Sequence, residues 1–470
     1  MLFPEDEEAV YQPAKEGRHN TCRCYYLCVG ETAKTLETQP SRAALSAWLL
    51  LALLMVASIV SFVDRQVVAI VVEPMKADLA ISDSQIGWLY GVFAVFYALA
   101  AWPIAFLADR YSRKHIIAIG IFFWSVMTIL CGLSRQFYHV FWARVGVGVG
   151  EASLGPATVS MVGDVFPRSQ IPLALSIFQT AAVMGSGIAF IIGGFVLEMV
   201  QQAEPLVLPV VGALKPWQQT FIYVGAPGIL LAFVFVFLRE PKRRGNRTEH
   251  PPARMIVDFY KANKRVLCLH HLGFLSFALS GYAFVFWTVS YFVRVHGADA
   301  ADAAQTFGWI FLISGPLGPV LAALFARRLV ERGRADGNIL AGMVMGLMGI
   351  PFVVAIQFVP TIEWAYLLYI PAIIFVNAPF GLANGSLPVI APAAIHAQVA
   401  AVYLLVVSLG NLLGPPITGF FNEVIFPETD GVRFSIISIT LAFGVLGGIC
   451  LGLARKPYAQ AWQAANTNQE

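Results

Sequence analysis

From Ala43 onward the chain is a succession of long apolar runs separated by short polar segments. The runs are continuous and not alternating, which excludes the period-two pattern of a strand-built barrel. A bilayer core of about 30 Å takes about 20 helical residues to cross. Runs of that length lie near 43–72, 83–108, 115–133, 138–162, 170–199, 217–238, 266–294, 304–326, 338–358, 362–385, 398–426 and 432–454. Backbone groups in lipid have no solvent partners, so such a run must satisfy its hydrogen bonds within a helix. The pattern predicts an all-α integral membrane protein with twelve transmembrane helices.

The placement of Lys and Arg orients these helices. Every even-numbered loop is basic. Arg110, Arg113 and Lys114 follow the second run, and Arg168 follows the fourth. Arg239, Lys242, Arg243, Arg244, Arg247, Arg254, Lys261, Lys264 and Arg265 follow the sixth, and Arg327, Arg328, Arg332 and Arg334 the eighth. Arg455 and Lys456 close the last run, whereas the other side holds only Lys76, Arg135, Lys215, Arg294 and Arg433. By the positive-inside rule both termini are expected in the cytoplasm, in a multi-pass protein of the inner or plasma membrane. The basic segment 239–265 carries Pro241, Pro251 and Pro252 and divides six runs from six. The expected organisation is a polar tail at 1–42, a six-helix bundle at 43–238, a linker at 239–265, a second bundle at 266–456 and a tail at 457–470. Short echoes between the halves, Phe106–Arg110 with Leu324–Arg328 and Gly150–Ser153 with Gly381–Asn384, agree with a duplicated six-helix unit.

Composition points the same way. The chain is 58% hydrophobic and only 13% charged, with a mean hydropathy of +0.69, where soluble proteins are about a quarter charged. The net charge of +3 says little until the charges are placed. The tail has an acidic run, Glu5-Asp6-Glu7-Glu8, and no basic-then-apolar leader. Its Cys22, Cys24 and Cys28 are spaced to touch a metal but lack clustered histidines, so an unstructured tail is the expectation. Neither a disulfide framework, a metal, a cofactor nor a nucleic-acid partner is expected.

Four charged residues remain inside the apolar runs: Asp64 and Arg65 on the first, Arg144 and Glu151 on the fourth. Each costs several kcal/mol at bilayer depth unless paired or hydrated. Counting about 1.5 Å per residue puts Asp64, Arg65 and Arg144 about 9–12 Å from the outer surface. Glu151 lies two turns beyond Arg144 on the same helix face, near the midplane. Two acids and two bases can therefore meet between the two helices as a neutral group. One reading is a structural ion-pair network. The other is functional: Glu151 takes and releases a proton, tuned by Asp64 and Arg144, while Arg65 receives an anionic head group. Burial favours the neutral carboxyl and a neighbouring arginine favours the carboxylate, so a helix movement could switch it. Neighbouring Asp64 and Arg65 point about 100° apart, which predicts Arg65 toward Glu151 and Asp64 toward Arg144. Gly146, Gly148 and Gly150 between these charges allow close helix packing.

The second half has no charge at membrane depth. Its interior candidates are Asn377 and Asn384 on the tenth run and Asn411 on the eleventh. The seventh run is aromatic, with Tyr282, Phe284, Phe286, Trp287, Tyr291 and Phe292. Facing lipid is one reading of these side chains. The alternative is a cavity wall, in which Tyr282 and Trp287 would hold the apolar body of an amphipathic substrate.

The stretch Leu107-Ala-Asp109-Arg110-Tyr-Ser-Arg113-Lys114 resembles a loop motif of the major facilitator superfamily, with Ala105 and Ser112 where glycine is usual. The resemblance implies two six-helix bundles, alternating access, and gate roles for Asp109, Arg110 and Arg113. Arg144 with its glycines is similar to the fourth-helix motif linked to proton coupling, whereas the fifth run lacks the antiporter proline. Asp64-Arg65 with Gly148-Val-Gly150-Glu151-Ala152 resembles the Spinster family, which implies a lysolipid- or sphingolipid-like substrate. A carrier for a small organic anion such as a sugar acid or drug, or a non-transporting sensor on the same scaffold, remains open. No phosphate loop or nucleophile elbow suggests an enzyme.

The expected topology has a direct test. A cysteine replacing Asn246 should be modified only by a reagent that reaches the cytoplasm, and one replacing Glu428 only from outside. Labelling of both from one side would sink it.

Overall fold

The computed structural model describes residues 45–167, 169–209, 212–243 and 253–467. The expected 1–42 tail with its three cysteines, and linker residues 244–252, lie outside the described residues. The described chain is almost wholly helical: α1 (Leu45–Ile70), α2 (Val72–Leu79), α3 (Asp83–Arg110), α4 (Arg113–Gly132), α5 (Phe137–Glu151), α6 (Leu154–Val165), α7 (Ile171–Gln202) and α8 (Pro216–Phe237) form the first half. After the linker come α9 (Ala253–Ala262), α10 (Lys264–His296), α11 (Ala300–Ser314), α12 (Leu317–Glu331), α13 (Gly337–Ile356), α14 (Ile362–Gly385), α15 (His396–Phe420) and α16 (Val432–Thr467). A two-stranded hairpin, β1 (Val207–Leu208) with β2 (Gly212–Ala213), joins α7 to α8.

Among the described residues, eleven helical segments are long and apolar enough to cross a membrane. The twelfth crossing is the pair α5–α6, which the apolar pattern presents as one run. Pro156 breaks it: with no N–H it cannot bond the carbonyl of Ala152, four residues back, and its ring crowds that carbonyl. The helix therefore ends at Glu151 and restarts at Leu154. The eighth crossing is interrupted in the same way between α11 and α12, where Gly315 and Pro316 intervene. The last helix continues to Thr467, well past the apolar run that predicted it.

Within the first half α1 packs on α7, α4 on α5 and α8, and α3 on α5. Within the second, α10 packs on α15 and α16, α13 on α14, and α12 on α14. The halves meet along α3–α15 and α7–α11. Both contacts are made by backbone at the end opposite the linker, here called the far face. A Cβ on Gly91 would sit 2.5 Å from the carbonyl oxygen of Leu412, and one on Gly194 would sit 2.8 Å from the carbonyl oxygen of Ala301. Only glycine permits approaches this close.

The buried apolar side chains divide accordingly. One cluster spans both halves at the far face, joining Val67, Ile86 and Phe190 to Trp287, Phe307 and Tyr369. Toward the linker face the core separates, with Trp124, Met161 and Phe235 in the first half and Phe274, Leu382 and Tyr403 in the second. The halves are thus joined at one end and parted at the other.

Candidate functional site

The parted end contains a cavity of about 740 Å³. Its walls come from α1, α3, α5–α6, α7 and α15, and they are largely apolar: Phe62, Trp102, Leu154, Phe178, Leu404 and Leu405. Its polar residues include Ser58, Ser61, Arg65, Tyr97 and Glu151. Ser61, Arg65 and Glu151 line it where α1 meets the broken crossing.

There the Arg65 Nε donates to Glu151 Oε2 at 2.6 Å, and Ser61 Oγ donates to the same oxygen at 2.6 Å. Ser61 is one turn before Arg65, so both reach one carboxylate from the same face of α1. The Glu151 side chain is fully enclosed, whereas Arg65 retains 19% exposure toward the cavity. Three rings surround the guanidinium, with centroids at 5.0 Å (Phe62), 4.8 Å (Phe93) and 5.0 Å (Tyr97). Such faces attract a cation once water is excluded. Because α5 ends at Glu151, this carboxylate stands at the helix break, beside backbone that can rearrange without rupturing a continuous helix.

The expected pairing of Arg65 with Glu151 is present. That of Asp64 with Arg144 takes another form. Arg144 Nη1 donates to the backbone carbonyl of Asp64 at 2.8 Å, and the Asp64 carboxylate oxygens have no hydrogen-bond partner. The carboxylate turns instead toward Trp124 and Thr128 on α4. The 100° step that sends Arg65 to α5 carries its neighbour to α4. Asp64 and Arg144 are both fully buried. The glycines of α5 allow the approach: a Cβ on Gly148 would lie 2.5 Å from the carbonyl oxygen of Phe93.

The candidates in the second half fall elsewhere. Trp287 is wholly buried at the far face, its Nε1 donating to the Pro415 carbonyl at 3.1 Å, so it does not line the open cavity. Phe284, Phe286, Tyr291 and Phe292 are buried with it, facing the protein and not lipid. Tyr282 is half-buried and packs edge-on against Phe380 at 5.6 Å. Asn377 bonds back to the Ile373 carbonyl at 2.9 Å, the usual recourse of a short polar side chain within a helix. Asn384 is exposed, and the buried Oδ1 of Asn411 has no partner. None of these five lines the 740 Å³ cavity.

By sequence, Lys76 and Arg294 are no more than loop charges of the far face. Here they help close the protein. Asp83, at the start of α3, accepts from Arg294 Nη1 at 2.5 Å and Nη2 at 2.9 Å, from Asn422 Nδ2 at 2.9 Å, and from Lys76. Arg294 Nε also donates to Glu73 at 2.8 Å. The cluster ties α2 and α3 of the first half to α10 and the end of α15 in the second. A bidentate arginine–carboxylate pair is the strong form of this contact. Asp83 and Arg294 keep only 4% and 9% of their side-chain exposure.

The linker-face residues Asp109, Arg110 and Arg113 make no such bridge among the described residues. Arg113 is fully buried and bonds Glu240 at 2.9 Å, Ser160 at 2.9 Å, the Pro241 carbonyl at 2.9 Å, and Asp164. All belong to the first half or its exit into the linker. Burial pushes the Glu240 carboxyl up, but the Lys114 amide and Arg113 guanidinium outweigh this and hold it below its ordinary value. That contribution to stability is present at neutral pH and lost as pH falls through the folded value. Arg110 lies over the Phe106 ring at 3.9 Å, and the Asp109 carbonyl accepts from Arg243.

Residues 54–415 match the model of the Major Facilitator Superfamily. The chain belongs to that superfamily. It is 25% identical to Protein spinster of Drosophila melanogaster over 300 residues, which is 61% of this chain and 47% of the fly protein. It is 26% identical to the sphingosine-1-phosphate transporter of Danio rerio over 311 residues, covering 62% and 58%. The match thus spans about half of these relatives' length. A bacterial homologue of the human lysosomal transporter Spinster, solved in an inward-facing, unoccupied conformation, superposes with a TM-score of 0.72. It is 25% identical, over 91% of this chain and 99% of its own. The two-bundle fold is therefore a facilitator fold, with the halves closed at the far face.

The Asp83 cluster makes a prediction. Removing one member of a buried ion pair costs about 3–5 kcal/mol in the state that contains it. Asp83→Asn should therefore destabilise the closed far face relative to an open one. Spin labels at residues 203 and 361, one in each half, should show a distance distribution extended to longer values. An unchanged distribution would mean the cluster does not hold the halves together.

Proposed function

We propose that the protein is a proton-coupled secondary transporter that moves an amphipathic anion by alternating access, with the linker face toward the cytoplasm. The observation that carries this reading is the Arg65–Glu151 pair in the wall of a largely apolar cavity. A polar head would reach Arg65 while an apolar body lay along Phe62, Trp102, Phe178 and Leu404. The surplus of Lys and Arg on the linker face supports the orientation.

Coupling follows from competition for one guanidinium. While Glu151 is ionised it occupies Arg65. An arriving phosphate or carboxylate offers two acceptor oxygens in the geometry that the guanidinium fork matches. Proton uptake by Glu151 frees Arg65 for that group, and loss of the proton returns Arg65 to Glu151 and expels the head group. Ser61 can donate to the ionised carboxylate or accept from the neutral acid, so it serves both states. Asp64, buried without a charged partner at its oxygens, is a second carboxyl that can carry a proton. The names of the relatives, a sphingosine-1-phosphate transporter among them, support a lysolipid- or sphingolipid-like substrate.

The first test is Glu151→Gln, which keeps shape and hydrogen-bonding capacity but cannot titrate. In proteoliposomes carrying a pH gradient, the variant should lose gradient-driven movement of 1-oleoyl lysophosphatidic acid. It should still show a thermal shift on binding that lipid. Wild-type pH dependence in the variant would remove Glu151 from coupling. Absence of exchange in the wild type, despite binding, would favour a sensor.

The head-group site has its own test. A charge-assisted hydrogen bond contributes about 1.5–3 kcal/mol, so Arg65→Ala should weaken lysophosphatidic acid binding about 10- to 100-fold. Arg65→Lys should fall between, keeping the charge but losing the fork. Binding of uncharged 1-oleoyl glycerol should change far less. Equal losses for both lipids would make Arg65 a support of the fold.

A further inference from the structure

Outside the central cavity, the linker ends in a short helix of strongly two-sided character. On α9, Met255, Ile256, Phe259 and Tyr260 turn inward onto the core of the second half, while Val257 stays exposed. Tyr260 is fixed by its hydroxyl, 3.1 Å from His271 Nε2 on α10. Burial pushes its pKa up to about 12, so it keeps its proton at physiological pH. The helix is therefore held against the bundle and not loosely tethered.

Between α9 and α15 lies a groove of about 490 Å³, lined by Ile256, Val257, Tyr260, Lys261, Lys264 and Val402. The floor is apolar and the charge on its rim is all positive. The nearby charges on α9 cancel, Arg254 pairing with Asp258 at 3.6 Å. Lys261 and Lys264 are exposed and make no ion pair among the described residues. Lys264 opens α10, a membrane-crossing helix, so both ammonium groups stand where polar surroundings give way to apolar ones. An apolar trough with cations at that level complements a molecule with a negative head and a hydrocarbon chain.

We propose that this groove binds an anionic phospholipid of the surrounding leaflet, its phosphate between Lys261 and Lys264 and an acyl chain along Val257 and Val402. This lipid is a resident and not cargo: the groove shares no residue with the central cavity. Occupancy would pin the linker to the second half while the first half moves.

The experiment is a thermal unfolding titration of the full-length protein in mixed micelles. Palmitoyl-oleoyl-phosphatidylglycerol should raise Tm, and the corresponding phosphatidylcholine should not. Each lysine changed to glutamine should weaken the apparent affinity for phosphatidylglycerol about fivefold. Val402→Trp keeps both charges and fills the trough, so it should also abolish the preference. Equal effects of the two lipids, or full retention of the phosphatidylglycerol effect in Lys261→Gln/Lys264→Gln, would overturn the proposal. Inorganic phosphate reproducing the shift would reduce the site to a bare anion site. Zero-length cross-linking of Lys261 to the acidic run at residues 5–8 would give the groove to the tail instead. Either result overturns the lipid assignment, and neither bears on transport through the central cavity.

Discussion

A guanidinium and a carboxylate in contact at membrane depth constrain everything around them. Either charge alone would be costly between apolar walls, and separating them leaves both uncompensated. The surroundings meet that demand. Three aromatic faces enclose Arg65, Ser61 adds a second donor to Glu151, and glycines in α5 let α3 come close enough to bring Phe93 beside the pair. The break after Glu151 places the carboxylate where the backbone is already interrupted. Under the proposed function, a ligand that enters must replace one of these contacts with an equal one, and a charged group is what can do so.

The far-face cluster is the counterpart of that site. Its charges lie on both halves, so it holds only when the halves are together at that end. Glycines of α3 and α7 provide the close backbone contact, and the Asp83–Arg294 pair makes it conditional. Apolar contacts between helices discriminate weakly between small displacements. A bidentate ion pair is lost over a short separation once water enters. The combination gives a joint that is either shut or open.

Much of this was legible in the sequence because lipid imposes strong rules. Twelve crossings, the sidedness of Lys and Arg, and the four embedded charges follow from where polar residues are permitted. Helical periodicity requires Asp64 and Arg65 to diverge, and opposite charge then points Arg65 at Glu151. The rest needed tertiary contacts. Pro156 was visible, yet the break it causes looked like part of a continuous apolar run, because hydropathy ignores the missing N–H. Asp83 and Arg294 lie at helix ends, where a charge is ordinary, and nothing in one chain's sequence says that ends 211 residues apart will meet. The aromatic residues of α10 alternate around the helix too evenly to show which face is buried. The structure buries nearly all of them against the far-face core, which removes Trp287 from the open cavity.

The linker-face residues show why a motif's position does not fix each member's part in it. Arg113 is wholly buried among Glu240, Ser160, Asp164 and the Pro241 carbonyl, all carried by the first half or its exit into the linker. Moving it across to the second half would strand several acceptors at once, so it travels with its own half as a rigid fastening. Asp109 and Arg110 are exposed, and neither is committed to a partner carboxylate or cation among the described residues. If the linker face closes while the far face opens, these two side chains can meet the second half without breaking an existing ion pair. The division follows from exposure: the buried arginine keeps the half intact, and the exposed pair is free to change partners.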